Sequence, residues 1–351
     1  MIVDALSRSG RRLLGDPLTA ATTLLFVALV VWLGPRLVDW LFFSAVWRPE
    51  GPEACAAEGA GACWAFLMEK WALILFGAFP HDLMWRPALG TTLVLVALGW
   101  LAWRRWPLQE SAAVMLGAFI ALVALLDGRP LGLEQVATVR WHGVAIVALL
   151  GVFGLAAGIP IGVALALARR DGPPLVRVLA TTLIETLRAT PLVTVLFFGV
   201  FVLPLLAPPS WSIDAVVATL IMLVVFHAAY VAEDMRGGLR AVGDGQREAG
   251  DALGLGYLKR LRLVELPQAV SVALPALTNT IIGGFKDTSL VALVGVFDLI
   301  ATTRMAYSDA AWQRYALEAL LAVGALYLLV CWLIARHCRT LEAELSHWRK
   351  R

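Results

Sequence analysis

Residues 248–270 read EAGDALGLGYLKRLRLVELPQAV. The stretch is too charged to cross a bilayer, yet its apolar positions recur every three to four residues, as on one face of a helix. Glu248, Ala249, Ala252 and Leu253 share such a face. Gly254 or Gly256 is a fitting stop, because glycine takes the backbone conformation that closes a helix. Leu258, Leu261 and Val264 or Glu265 then restart the period. Pro267 opens the next apolar run, where its missing N–H does least harm. The whole of 234–266 is too long and too patterned for a plain connector. The spacing predicts a short helix, a glycine break and a second short helix lying across one membrane face.

Around this loop the chain reads as membrane. Of 351 residues, 60% are apolar and 16% charged, and the mean hydropathy is +0.78. Soluble domains run at about 45–50% apolar and about 25% charged. Fourteen Trp suit interfacial belts. A net charge of +3 gives no argument for nucleic acid. Spanning helices need roughly 20 apolar residues. Eight are expected, near 18–34, 88–103, 111–126, 143–168, 183–206, 213–233, 267–285 and 314–336. The first follows RSGRR but has no clear cleavage site, so it reads as a retained anchor. Residues 62–80 are a ninth candidate, interrupted by Glu69 and Lys70. Each charge costs about 2.5–3.5 kcal/mol at the bilayer centre, so an amphipathic helix on the outer face is expected instead.

Charge placement sets the orientation. Loops on the N-terminal side carry 19 of the 29 Lys and Arg, those on the other side 9, and Arg188 lies within a helix. Positive residues stay inside. Both termini and loop 234–266 are therefore expected in the cytoplasm, in an all-α, multi-pass integral membrane protein. Loop 35–87 then faces an oxidising periplasm, where Cys55 and Cys63 could close a disulfide or remain two thiols. Composition divides the chain into an N-terminal accessory region, 1–130, and a core, 131–351, where the patterned loops lie.

Several core positions carry polar chemistry. Gly154, Gly158 and Gly162 line one helix face and imply close packing, within the core or against a second subunit. Glu185 and Arg188 stand at i, i+3, where they can pair. They are a charged collar at the cytoplasmic mouth or an interfacial anchor, and Pro191 kinks or restarts the helix there. His227, Tyr230 and Glu233 or Asp234 share a face that could edge a conduit, or be satisfied by neighbouring helices. In NTIIGGFKDTSLVALVGVFDLI (279–300), Gly283 and Gly284 are expected to interrupt the helix. The apolar residues after them are too few to span, the profile of a broken or re-entrant segment. Lys286 and Asp287 could meet the two charges of a zwitterion, with Thr288 and Ser289 donating hydrogen bonds. Alternatively, the charges sit at the outer interface and the hydroxyls cap the next helix.

The 248–267 stretch is similar to the EAA loop of ABC-importer permeases: E-A-A, three residues, Gly, nine residues, Ile-x-Leu-Pro. Glu248, Ala249, Gly254, Leu266 and Pro267 match, with Gly250 for the third Ala and Val264 for Ile. IETLRATPLVTVLFF, HAAYVAEDMRGGLRAVGDGQREAG and LPQAVSVALPALTNTIIGGFKDTSL resemble the histidine/glutamine branch of polar amino-acid importers over roughly 131–340. The added N-terminal spans look like the longer general L-amino-acid permeases. The resemblance implies a type I permease core of five helices plus about three N-terminal ones, in the bacterial inner membrane. It implies a second homologous permease in a heterodimer, a pair of ABC ATPases gripping the coupling loop, and a periplasmic amino-acid-binding protein.

No G-x-x-x-x-G-K-[ST] occurs, so ATP and Mg are expected on the ATPase and no cofactor on this chain. Five scattered His give no metal cluster, and no nucleophile–base pattern suggests an enzyme. The rival reading is a stand-alone secondary transporter or channel for small polar solutes, which has no use for a cytoplasmic lever.

Overall fold

Pro17, in a first turn where its missing N–H is not needed, opens α1 (Pro17–Val38). The helices that follow are α2 (Ala65–Phe76), α3 (Trp85–Trp103), α4 (Leu108–Asp127) and α5 (Val144–Asp171). Next come α6 (Pro174–Ala189), α7 (Leu192–Leu206), α8 (Ala215–Ala241) and α9 (Asp244–Ala252). The last are α10 (Leu266–Asp287), α11 (Leu299–Tyr307) and α12 (Ala316–Arg349). This computed structural model describes residues 16–48, 51–103, 107–208 and 210–349. Contacts divide the chain into two compact units, one of residues up to 71 with 309–319, the other of 72–308 with the residues from 320 onward.

In the first unit, α1 is apolar and buries no residue, as suits a helix solvated by lipid. Cys55 and Cys63 are joined by a disulfide with a Cα–Cα distance of 5.5 Å. The Cys63 N–H donates to Glu318 (3.4 Å), and Phe66 packs on Trp312. Lys70 pairs with Asp309 at 3.0 Å, and its hydrogen bond holds the Asp309 carboxyl below the usual carboxylate range. α2 has 12 residues. At about 1.5 Å per residue it is too short to cross a membrane, in line with the cost of Glu69 and Lys70 there.

Among the described residues, seven helical segments are long and apolar enough to span. α6 and α7, bent by 112° at their junction, make an eighth if the pair is counted as one broken span. The break falls at Thr190-Pro191, where the proline lacks a donor and disfavours helix in the residue before it. The expected span 183–206 is therefore corrected: its first part belongs to α6, which starts at Pro174 and buries only Ala180 and Ile184.

In the second unit, α8 is the central helix. The Asp214 carboxylate accepts the N–H groups of Val216 (2.8 Å) and Val217 and so caps its start. α8 packs along α5, α10 and α6. The glycine row meets α8 within this chain. A Cβ at Gly158 would lie 3.3 Å from the Val224 carbonyl oxygen, and one at Gly162 2.7 Å from that of Ala228.

Two expectations about α10 need correction. Gly283 and Gly284 do not interrupt it, and the helix runs on to Asp287 before a tighter turn, Thr288–Val294, ends at Gly295. The reason is packing: a Cβ at Gly284 would meet Leu155 at 2.7 Å and His227 Nε2 at 2.9 Å. The second short helix also does not lie free. Tyr257–Arg260 and a wide turn, Leu261–Glu265, run directly into α10. The non-spanning segment is α11, capped by Asp298, whose carboxylate accepts from Ala301 N–H at 3.0 Å.

His142 precedes α5, is 6% exposed, and accepts the Ala78 N–H at Nδ1 (3.1 Å). Burial lowers its pKa from 6.5. The folded state then binds fewer protons than the unfolded state, so stability is full above about pH 6.5 and falls as the pH drops through the lowered folded value. Acidification from pH 7 to 5 is expected to lower the Tm of the purified protein. His142→Asn should flatten that part of the profile, and an unchanged slope would remove His142 as the cause.

Candidate functional site

α9 is held by one face and offers the other. Gly250 is its buried residue, and Glu248, Ala249, Ala252 and Leu253 are exposed, Leu253 at 79%. Gly254 has φ +72°, a left-handed conformation that ends the helix. Its N–H donates to Asp251 and that of Leu255 to the Gly250 carbonyl (2.9 and 3.1 Å). Gly250, which replaces the motif's third Ala, has a physical reason. A Cβ there would stand 2.9 Å from Arg260 Cγ and 3.1 Å from Cδ. Gly250→Ala raises helix propensity by up to about 1 kcal/mol but displaces the Arg260 stem, an overpacking cost of about 1–3 kcal/mol. A net loss is expected, read as faster protease cleavage of 244–256. Slower cleavage would show that propensity wins.

Arg260 is what Gly250 makes room for. It pairs with Asp251 of α9, and its Nε donates to Glu265 Oε1 at 2.9 Å. Glu265 is fully buried and also pairs with Arg170 of α5 at 2.8 Å. Arg170 pairs with Asp171, which accepts the Tyr257 hydroxyl at 2.9 Å. Sequence reasoning passed over Arg170 and Arg260. The available signal was Glu265 itself, a carboxylate standing in the apolar stripe of a helix, which is stable only if paired.

A second cluster surrounds Glu233 on α8. Arg169 and Arg188 each approach its carboxylate at 3.4 Å, and Arg236 pairs with it through Nε at 2.8 Å. Glu185 pairs with Arg169 at 2.9 Å. Glu185 and Arg188 therefore do not pair with each other, and each reaches a different helix. The Arg188 guanidinium also lies 5.8 Å from the Tyr230 ring centre. Asp234 accepts the Thr280 hydroxyl at 2.6 Å, tying α8 to α10.

The polar residues deeper in the core are only partly convergent. His227 stands 12 residues into α8, about 18 Å from its start at 1.5 Å per residue. Its Nε2 lies 3.2 Å from Asp287 Oδ2. Lys286 points elsewhere: it lines an outward groove with Ser289, Tyr327 and Cys331. Thr288 is buried and donates to the Phe285 carbonyl at 2.8 Å. The six expected path residues thus form a His227–Asp287 pair, a Lys286–Ser289 groove, Tyr230 beside the collar, and Thr288 in the chain turn.

A helical core with a bent helix pair, polar residues paired between spanning helices and a short helix with one exposed face is the arrangement that the comparisons place in a transport family. Residues 158–341 match the family described as binding-protein-dependent transport system inner membrane component. The chain is 37% identical to the Escherichia coli inner membrane amino-acid ABC transporter permease protein YhdY, over 91% of this chain and 88% of that protein. It is 31% identical to the Rhodobacter capsulatus glutamate/glutamine/aspartate/asparagine transport system permease protein BztC, over 98% and 94%. Among solved structures it resembles that described as the crystal structure of an amino acid ABC transporter with histidines. There the identity is 27% and the TM-score 0.50, over 57% of this chain and 91% of that one. The chain belongs to the binding-protein-dependent transport system inner membrane component family. It is a type I permease subunit of an ATP-driven importer in the inner membrane, and it works with a separate ATPase and a substrate-binding protein.

Proposed function

We propose that this chain is the permease of an importer for polar or general L-amino acids, paired with a second homologous permease in a heterodimer. The observation that carries the substrate class is the likeness to two permeases named for amino acids over 91% and 98% of this chain. In this reading 1–130 is an accessory region around the 131–351 core. A pair of ABC ATPases, binding ATP and Mg, grips the exposed side of the loop at Glu248, Ala249 and Gly254; Gly250, expected among the gripped residues, instead seats α9 on Arg260, and Leu266 and Pro267 join that loop to α10. Their closure switches the core between outward and inward access, and the collar of Glu185, Arg188 and Glu233 frames the cytoplasmic mouth. His227 and Asp287 border the path, where intramembrane polar groups are tolerated, while Tyr230 stands beside Arg188, Lys286 and Ser289 line a separate groove, and Thr288 holds the turn.

The test is uptake in vesicles holding both permeases, the ATPase and the binding protein, with L-amino acids as competitors. ATP-dependent uptake inhibited by polar L-amino acids is expected. Uptake without ATP would support a secondary transporter instead. Because Asp287 is engaged by His227, a second reading has this subunit without a substrate site of its own. Asp287→Asn with undiminished uptake would favour it.

A further inference from the structure

The two ion clusters at the cytoplasmic end share a joint. Arg169 and Arg170 are consecutive at the end of α5, and they divide between the clusters. Arg170 reaches Glu265 (2.8 Å), and Arg169 reaches Glu185 (2.9 Å) and Glu233 (3.4 Å). On the Glu265 side the line continues through Arg260 to Asp251 of α9. On the Glu233 side it continues to Arg188 and Arg236. Glu265 is the only carboxylate in the line that is fully buried, and both its oxygens are engaged by arginines from different segments.

We propose that Glu265 is a positioning residue for energy coupling, relaying displacement of α9 through Arg260 and Arg170 to the Glu233 cluster at the cytoplasmic mouth. The inference rests on the reading of α9 as the ATPase-docking helix. The physical argument has three steps. α9 touches the core where Gly250 meets the Arg260 stem, so a pull on α9 moves that stem first. Glu265 holds Arg260 through one oxygen and Arg170 through the other inside the protein, and withdrawing either arginine gives up a close charged contact that water does not replace there. Arg260, Glu265 and Arg170 therefore move together. Because Arg169 is fixed to Arg170 by the backbone, that motion changes its distance from Glu233 and Glu185, and with it the closure of α6 and α8.

Glu265 faces no docking surface, so a role in coupling is separable from a role in ATPase binding. Glu265→Gln keeps the size but removes the charge that locks the two arginines, and its amide oxygen can accept from only one of them. In the full complex, reconstituted in lipid, this variant should retain the ATPase and basal ATP hydrolysis. Its stimulation by loaded binding protein, and its uptake, should fall at least about tenfold. Glu233→Gln should reduce the same stimulation. Two groups on one line act non-additively, so the double variant should be no worse than the more damaging single one. Unchanged uptake in Glu265→Gln, or additive losses in the double variant, would overturn the relay. Glu265→Asp keeps the charge and should be partly coupled. If neither Glu265→Gln nor Glu265→Asp assembles, Glu265 is a folding residue and the proposal fails. Glu248→Arg separates the two readings: ATPase retained there removes α9 as the docking site, whereas ATPase lost there with normal uptake in Glu265→Gln removes the relay alone.

Discussion

Glu248→Arg is expected to release the ATPase from the permease while leaving the permease folded. Glu248 lies on the exposed face of α9 beside Ala249, Ala252 and Leu253. The helix is held from its opposite face, by Gly250 over Arg260 and by the Asp251–Arg260 pair. Reversing an exposed charge away from those contacts changes stability by no more than about 0.5 kcal/mol. At a docked interface the same reversal places like beside like, or strands a partner's charge, at about 2–5 kcal/mol. Each 1.4 kcal/mol is a factor of about ten, so docking should weaken by at least about thirtyfold. Co-purification of the ATPase with the tagged permease measures this directly, and transport should fall with it. Full retention of both would place the coupling surface elsewhere.

Gly162→Leu is expected to prevent the core from forming. A Cβ at 162 would lie 2.6 Å from Val231 Cβ and 2.7 Å from the Ala228 carbonyl oxygen. A carbonyl within a helix cannot rotate away, so α5 and α8 would have to separate along their length. Overpacking of a tight site costs about 1–3 kcal/mol, occasionally more, and this site opposes backbone as well as side chain. Lipid offers no hydrophobic compensation for separated helices, whose association depends on close packing of small residues. The variant should give little monodisperse protein in detergent. Gly154→Ala is the control: its Cβ would meet Leu223 Cβ at 3.7 Å, an ordinary contact, and it should be tolerated. Equal behaviour of the two variants would show that the glycine row is not what sets the α5–α8 distance.

Much of the candidate site was legible in the order of residues. The α9 helix, its glycine stop and the break at Pro191 follow from backbone chemistry that acts over a few positions. The pairing of charges did not. Glu185 and Arg188 are neighbours on α6 by spacing, yet each bonds to another helix. Lys286 and Asp287 are adjacent in sequence, yet successive residues on a helix point about 100° apart, so one enters an outward groove and the other meets His227. Gly283-Gly284 looked like a break because glycine weakens helices in water. In the core, Leu155 and His227 occupy the space beside Gly284, and the helix continues.

Hydropathy and the glycine and proline positions were sufficient for a multi-pass, all-α membrane protein with a short patterned helix between its apolar runs, and the resemblance of 248–267 to an importer loop supplied the permease class. Those signals are local: transfer into lipid is a property of a segment of about 20 residues, and a cap or break involves one or two. Folding supplied the choice of ion partners, the burial of Glu265 between Arg170 and Arg260, and the divergence of Lys286 from Asp287. These depend on which helix faces meet, and a charge inside low-dielectric surroundings takes whichever opposite charge packing brings within reach.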